Sequence, residues 1–191
     1  MATTPLICKA LMIFTETKLK GAYLVEIEKL HDSRGFFALS WSADEFARRG
    51  LDSELAESNI SLNNRKGTLR GMHYQAHPHG QTKLVRCTMG AIYDVVIDLR
   101  PSSPTFKQWV GVELSAKNHL MLYVPKGFAH GFQTLEDDSE VLYQMSYPYV
   151  ADSGRGVRWN DPAFGIHWPD ADRIIIKRDR EYPDFNQEEA R

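Results

Sequence analysis

Residues 82–99 read TKLVRCTMGAIYDVVIDL, two short runs rich in β-branched and apolar residues on either side of Gly90. Runs this short, broken by a glycine, read as strands joined by a turn. The same grain continues outward. Downstream lie 108–114 (QWVGVEL), 120–124 (LMLYV), 131–135 (GFQTL) and 140–147 (EVLYQMSY), and upstream 23–30 (YLVEIEKL) alternates apolar with polar residues. Turn residues at 101–104 (PSSP) and 136–138 (EDD) separate them. Strands spaced in this way predict an all-β sandwich or barrel rather than alternating βαβ units.

One helix is predicted over 43–49, where Ser42 and Glu45 form a capping box, Arg48 and Arg49 suit the C-terminal dipole and Gly50 fits the C′ position. A second short helix is expected after Tyr182. The apolar run at 174–176 predicts that the tail, about 173–191, packs back on the domain before fraying. No repeat or Pro/Gly-rich linker divides the chain, so 1–191 is expected to be a single domain.

Composition narrows the function classes. The chain has 191 residues, 42% hydrophobic and 25% charged, as a folded globular protein should. A net charge of −2 lacks the footprint of a nucleic-acid binder, though a local basic patch could still hold a phosphate. Two cysteines, Cys8 and Cys87, cannot staple a chain of this size and do not form a CxxC pair. A reducing compartment is therefore the expectation, and a zinc ribbon is excluded. No apolar run reaches the roughly 20 residues of a membrane helix. The apolar start at 5–14 is interrupted by Lys9 and lacks a signal-cleavage pattern. A cytoplasmic protein without membrane or nucleic-acid partners is expected.

Chemistry-bearing residues fall in four places. In GTLRGMHYQ (67–75), strand alternation puts Leu69, Gly71 and His73 on one face and Arg70 and Met72 on the other. A lone strand histidine is usually a packing residue, but an arginine three positions earlier can fix an anionic substrate beside a base that titrates near neutrality. In PKGFAHGF (125–132), the P-x-G-x-x-H pattern matches half of the cupin signature, with His130 either supporting the turn or lining a small barrel. His77 and His79 supply an H-x-H, but in a Pro/Gly loop with no suitably spaced glutamate, so a metal site is disfavoured. Lys83 alternates with Val85 and Cys87 and so points inward, unless it snorkels to solvent from its strand end. Tyr143, Tyr147 and Tyr149 are read into the last strand, with Tyr143 and Tyr147 on one face; such tyrosines either pack or donate protons in a pocket.

RGFF (34–37), TLRGMHYQ (68–75), KLVR (83–86), SPTF (103–106), QWVGVELS (108–115), PKGFAHGF (125–132) and RWNDP (158–162) occur in register. In this order they closely resemble the dTDP-4-dehydrorhamnose 3,5-epimerase family, over about residues 21–179. The resemblance implies a cupin-type jelly-roll fold with a few short helices and a homodimer whose N-terminal segment, about 1–20, lies at the interface. It implies no cofactor or metal, and a nucleotide-diphosphate 4-keto-6-deoxy sugar as substrate. It assigns His73 as base, Asp179 as its orienting partner, Lys83 as stabiliser of an enolate and Tyr143 as acid. Arg34, Asn59, Arg70, His130, Tyr149 and Arg178 are the implied substrate contacts, with Arg34 reaching the nucleotide.

The chain departs from the family pattern at several contact positions. Glu57-Ser58-Asn59 stands where the pattern has Gln-Asp-Asn, Ala38-Leu39 replace a glutamate after RGFF, Gln144 replaces a lysine, and Arg178 replaces a lysine with its charge kept. These changes leave open the nucleotide, the sugar and whether one or two centres are inverted. A metal-dependent cupin using His77, His79 and His130, or a non-catalytic sugar-nucleotide binder, are the other readings.

Overall fold

The computed structural model describes residues 11–186. In chain order the elements are β1 (Met12–Glu16), β2 (Tyr23–Ile27), β3 (Leu30–Asp32), β4 (Gly35–Phe37), α1 (Ala43–Ala47) and β5 (Glu57–Asn63). They continue with β6 (Leu69–Gln75), β7 (Lys83–Met89), β8 (Ala91–Asp98), β9 (Trp109–Ser115) and β10 (Met121–Val124). The last are β11 (Phe128–Thr134), β12 (Ser139–Met145), β13 (Gly154–Gly156) and α2 (Lys177–Arg180). A six-stranded sheet ordered β1-β2-β10-β7-β12-β5 faces a five-stranded sheet ordered β13-β6-β11-β8-β9, and β3 and β4 form a separate hairpin. The fold is a cupin-type β-sandwich.

The core between the sheets contains Val85 and Cys87 from β7, Ile92 and Val96 from β8, and Phe128 and Phe132 from β11. The outer face of the five-stranded sheet is covered as well. Val157, Phe164 and Trp168 cluster there with Leu69, Met72, Val95 and Ile97, and Ile175 and Phe185 pack against that cluster. Strand β8 is thus covered on both faces, which is why its sequence is almost continuously apolar rather than alternating. On the opposite side, Phe46 of α1 joins Val25, Leu84 and Met121.

Helix α1 forms where the capping signals place it. The Ser42 hydroxyl accepts from the Glu45 amide, and Gly50, at φ +68°, lies between the Gly50 N–Ala47 O and Leu51 N–Phe46 O bonds of a Schellman closure. Arg48 and Arg49 both clamp the buried Glu45 carboxylate. The second helix differs from expectation. It precedes Tyr182 as α2, because Ile176 is the last extended residue and the segment from 182 to 186 is irregular; residues 187–191 lie outside the described residues.

Strand β6 carries the feature that shapes the site. His130 pairs with His73, but Phe132 pairs with Arg70, so β6 holds one more residue than β11 across this interval. This bulge reverses the side-chain parity. Leu69 and Met72 both enter the outer cluster, while Arg70 and His73 both face the cavity. Strict alternation, which set Arg70 opposite His73, fails here for that reason. The close approach needs two facing glycines. A Cβ on Gly71, at φ +132°, would lie 2.5 Å from Gly131 Cα, and one on Gly131 would lie 2.6 Å from both Arg70 O and Met72 Sδ. Gly131→Ala should therefore cost about 1–3 kcal/mol by overpacking, or roughly 2–4 °C of melting temperature per kcal/mol, read by calorimetry. An unchanged melting temperature would mean that the two strands separate freely.

Candidate active site

A cavity of about 630 Å³ lies between the two sheets. Its five-stranded wall presents Arg70 and His73 from β6 and His130 from β11; its six-stranded wall presents Asn59 and Ser61 from β5, Lys83 from β7 and Tyr143 from β12. Helix α2 adds Arg178 and Asp179, and Tyr149 lines it from beyond β12.

His73 Nε2 lies 2.9 Å from Asp179 Oδ1, and the other carboxylate oxygen accepts the Gly71 N–H at 3.1 Å. Nε2 meets two partners of opposite demand, since the Asp179 carboxylate can only accept and Arg178 Nη2, 3.2 Å away, can only donate; the nearer, ionised carboxylate places the proton on Nε2 and leaves Nδ1 as the basic atom. Arg178 Nε also donates to Asp179 Oδ1, at 3.1 Å. Burial alone would raise the Asp179 pKa, but the hydrogen bonds from His73, Gly71 and Arg178 outweigh it and hold the carboxyl below its ordinary range. For His73 the balance goes the other way. Burial lowers its pKa, helped by Lys83 and Arg178, against the pull of Asp179. The imidazole is therefore neutral at pH 7, the state in which it can take a proton.

Lys83 is half-buried with its ammonium in the cavity, and burial brings its pKa down to about 8, with Asp94 opposing. Tyr143 is pushed the opposite way. Burial raises the phenol above its ordinary value, so it stays protonated, and its hydroxyl is 2.9 Å from Ser61 Oγ. On the five-stranded wall, His130 Nε2 meets Asp94 Oδ1 of the neighbouring strand β8 at 2.7 Å, both side chains buried. Arg70 is aimed by its Nε donating to Asn63 Oδ1 at 2.7 Å.

The structure brings together His73, Lys83, Tyr143, Asp179, Asn59, Arg70, His130, Tyr149 and Arg178. It does not bring Arg34 to this cavity. That side chain stands exposed between β3 and β4, paired with Asp32. Tyr147 and Tyr149 lie beyond β12, which stops at Met145, so strand alternation does not govern them. Tyr147 packs on the His79 ring outside the cavity lining. The H-x-H set is not assembled, since His79 Nδ1 bonds Ser153 Oγ at 2.7 Å and His130 is turned to Asp94. Among the described residues no three His, Cys, Asp or Glu side chains come together as a metal site.

Sequence reasoning passed over Ser61, Asn63, Asp94 and Tyr182. The first two had a signal. ESNISLN alternates with its polar side inward and its apolar side outward, Ile60 being 63% and Leu62 50% exposed. Asp94 also had one, an acid amid the apolar run of β8. Asp98 shares that trait but serves the following turn, accepting from Arg100, Ser103 and Thr105. Tyr182, T-shaped to His73 with centroids 6.2 Å apart, had none.

Comparison with known proteins agrees with this geometry. The family model described as dTDP-4-dehydrorhamnose 3,5-epimerase matches residues 16–187. The Sinorhizobium fredii dTDP-4-dehydrorhamnose 3,5-epimerase is 42% identical over 165 residues, 86% of this chain and 85% of that one. The crystal structure of the Bacillus anthracis dTDP-4-dehydrorhamnose 3,5-epimerase with TDP and PPi bound is 44% identical, with TM-score 0.88 over 92% of this chain and 100% of that chain. A Streptomyces bikiniensis 3'-monoepimerase, in complex with dTDP-quinovose, is 33% identical, with TM-score 0.82 over 88% and 85% of the two chains. On the strength of a family match spanning nearly the whole chain, this protein belongs to the dTDP-4-dehydrorhamnose 3,5-epimerase family.

Proposed function

We propose that the chain is an isomerase that epimerises a dTDP-linked 4-keto-6-deoxy sugar at carbons flanking the ketone. The observation that carries this reading is the placement of a base and an acid on opposite walls of one cavity: His73 on β6 of one sheet and Tyr143 on β12 of the other. The C4 ketone acidifies the C–H bonds at C3 and C5. His73 Nδ1 takes one of these protons, the electron pair moves into the C4 carbonyl, and the Lys83 ammonium stabilises the resulting enolate oxygen. Tyr143 then returns a proton from the other face, inverting the centre. The imidazolium loses its proton and the phenolate regains one through solvent before the next round. Arg70 and Arg178 supply donors for the sugar and its diphosphate, and Asn59, His130 and Tyr149 complete the contacts.

The test is proton NMR in D₂O of dTDP-4-keto-6-deoxyglucose with the protein. Exchange at both C3 and C5 is expected for a 3,5-epimerase. Exchange at C3 alone would instead match the chemistry named for the Streptomyces bikiniensis relative, a second reading left open by the departures at Glu57-Ser58, Ala38-Leu39 and Gln144. Exchange at neither centre would sink both, and GDP- or CDP-linked 4-keto sugars would then be tried.

The protein is further read as a cytoplasmic homodimer. Arg34 and Phe37, the latter 71% exposed, stand on the β3–β4 hairpin away from their own cavity, where they can serve a partner's. Cys87 is a buried free thiol, as a reducing compartment allows, and no helix among the described residues is long and apolar enough to cross a membrane.

A further inference from the structure

Tyr182 lies just beyond α2, and its ring meets the His73 imidazole in a T-shaped contact, centroids 6.2 Å apart and planes at 69°. Behind the ring is bare backbone. Gly156 of β13 stands opposite His73 in the ladder, and a Cβ there would come within 2.2 Å of Tyr182 Cζ. The Tyr182 carbonyl is held by Arg158, whose Nη1 donates to it at 3.4 Å. The imidazole is thus fixed by Asp179 at Nε2 and walled by an aromatic ring that itself rests on a position with no side chain.

We propose that Tyr182 is a positioning residue for the base: seated on Gly156, its ring braces the His73 imidazole against Asp179 and keeps water from that side. This rests on the assignment of His73 as base. The hydroxyl is not needed, because the contact is made by the ring. Other titratable groups around the same cavity are Arg70 and Tyr74 from β6, Lys83 from β7, His130 from β11, Tyr143 from β12, Arg155 from β13, Arg178 and Asp179 from α2, and Tyr149. Replacing Tyr182 leaves all of these in place, so a change in His73 titration reports the ring. Burial is the largest influence on that titration and lowers it, so admitting water must raise it.

The experiment is an NMR titration of His73 in the ligand-free protein, together with the pH profile of kcat/KM. Tyr182→Ala should move the His73 midpoint, and the acid limb with it, to higher pH. It should lower kcat on the order of 10- to 100-fold by loosening the base, with KM little changed. Tyr182→Phe should match the parent in every respect. Gly156→Ala, which pushes the ring away, should reproduce the titration shift, and should add nothing in a Tyr182→Ala background. If Tyr182→Ala does not fold, the single Gly156→Ala variant carries the same test. A folded Tyr182→Ala or Gly156→Ala protein with an unmoved His73 midpoint would overturn the proposal, as would a Phe variant as impaired as the Ala one. The titration needs no substrate, so its outcome is separate from that of the solvent-exchange test of the proposed function.

Discussion

His73→Asn should bind a dTDP-linked 4-keto sugar about as tightly as the parent yet turn it over on the order of 10²- to 10⁴-fold more slowly, the usual contribution of a positioned general base. Asparagine is the informative replacement. Its amide is too short to reach Asp179 Oδ1, which His73 Nε2 meets at 2.9 Å, but the buried carboxylate keeps the Arg178 Nε and Gly71 N–H donors, each at 3.1 Å, so the fold survives. What is lost is the lone pair on Nδ1. Calorimetric titration with substrate, steady-state rates and C3/C5 exchange in D₂O read the three consequences separately. A variant that exchanges protons at the parental rate would remove His73 from the role of base. In the parent, the acid limb of kcat/KM should lie below the ordinary histidine value, since burial lowers the His73 pKa.

The second large effect belongs to Lys83. Lys83→Met keeps the length and apolar stem but removes the cation proposed to face the enolate oxygen. A loss on the order of 10²–10³ in kcat is expected, comparable to deleting one oxyanion donor. The pH dependence gives an independent readout. With its pKa brought down to about 8, Lys83 is charged below that pH and neutral above it, so parental activity should fall as pH rises through about 8. In Lys83→Met this alkaline limb should vanish, because Tyr143, with its pKa raised by burial, still holds its proton there. If the limb near pH 8 persists in Lys83→Met, some other group controls it.

The parts of this fold that could be read in the sequence are those where one solvent or core boundary dominates. Strands β7 through β12 follow from apolar runs and turn residues, with ends displaced by a residue or a few, because the ladder rather than composition decides where pairing stops. The strands that escaped are those whose pattern carries no such boundary. β13 is Gly154–Gly156, with no apolar side chain, and exists only because its backbone pairs with Gln75, Tyr74 and His73. β5 is polar on its cavity side. The site was legible to the extent that motif order carried it, through His73, Lys83, Tyr143 and Asp179. The joint presentation of Arg70 and His73 was not, since a bulge at two facing glycines breaks the period-two rule on which such readings depend. Ser61 and Asp94 carried a pattern signal, but only the tertiary fold pairs them with Tyr143 and His130, and the contact of Tyr182 with His73 has no trace in the sequence at all.

The orienting carboxylate for His73 is supplied 106 residues later in the chain. At translation speeds of about 5–20 residues per second, the histidine emerges roughly 5–20 s before Asp179 exists. During that interval the sheets can begin to assemble around an imidazole with nothing to set its tautomer. On the proposed roles, the base is therefore oriented only once α2 has docked. A proteolytic nick ahead of α2 would sever the covalent chain between His73 and that carboxylate while leaving every strand of both sheets on one side of the cut.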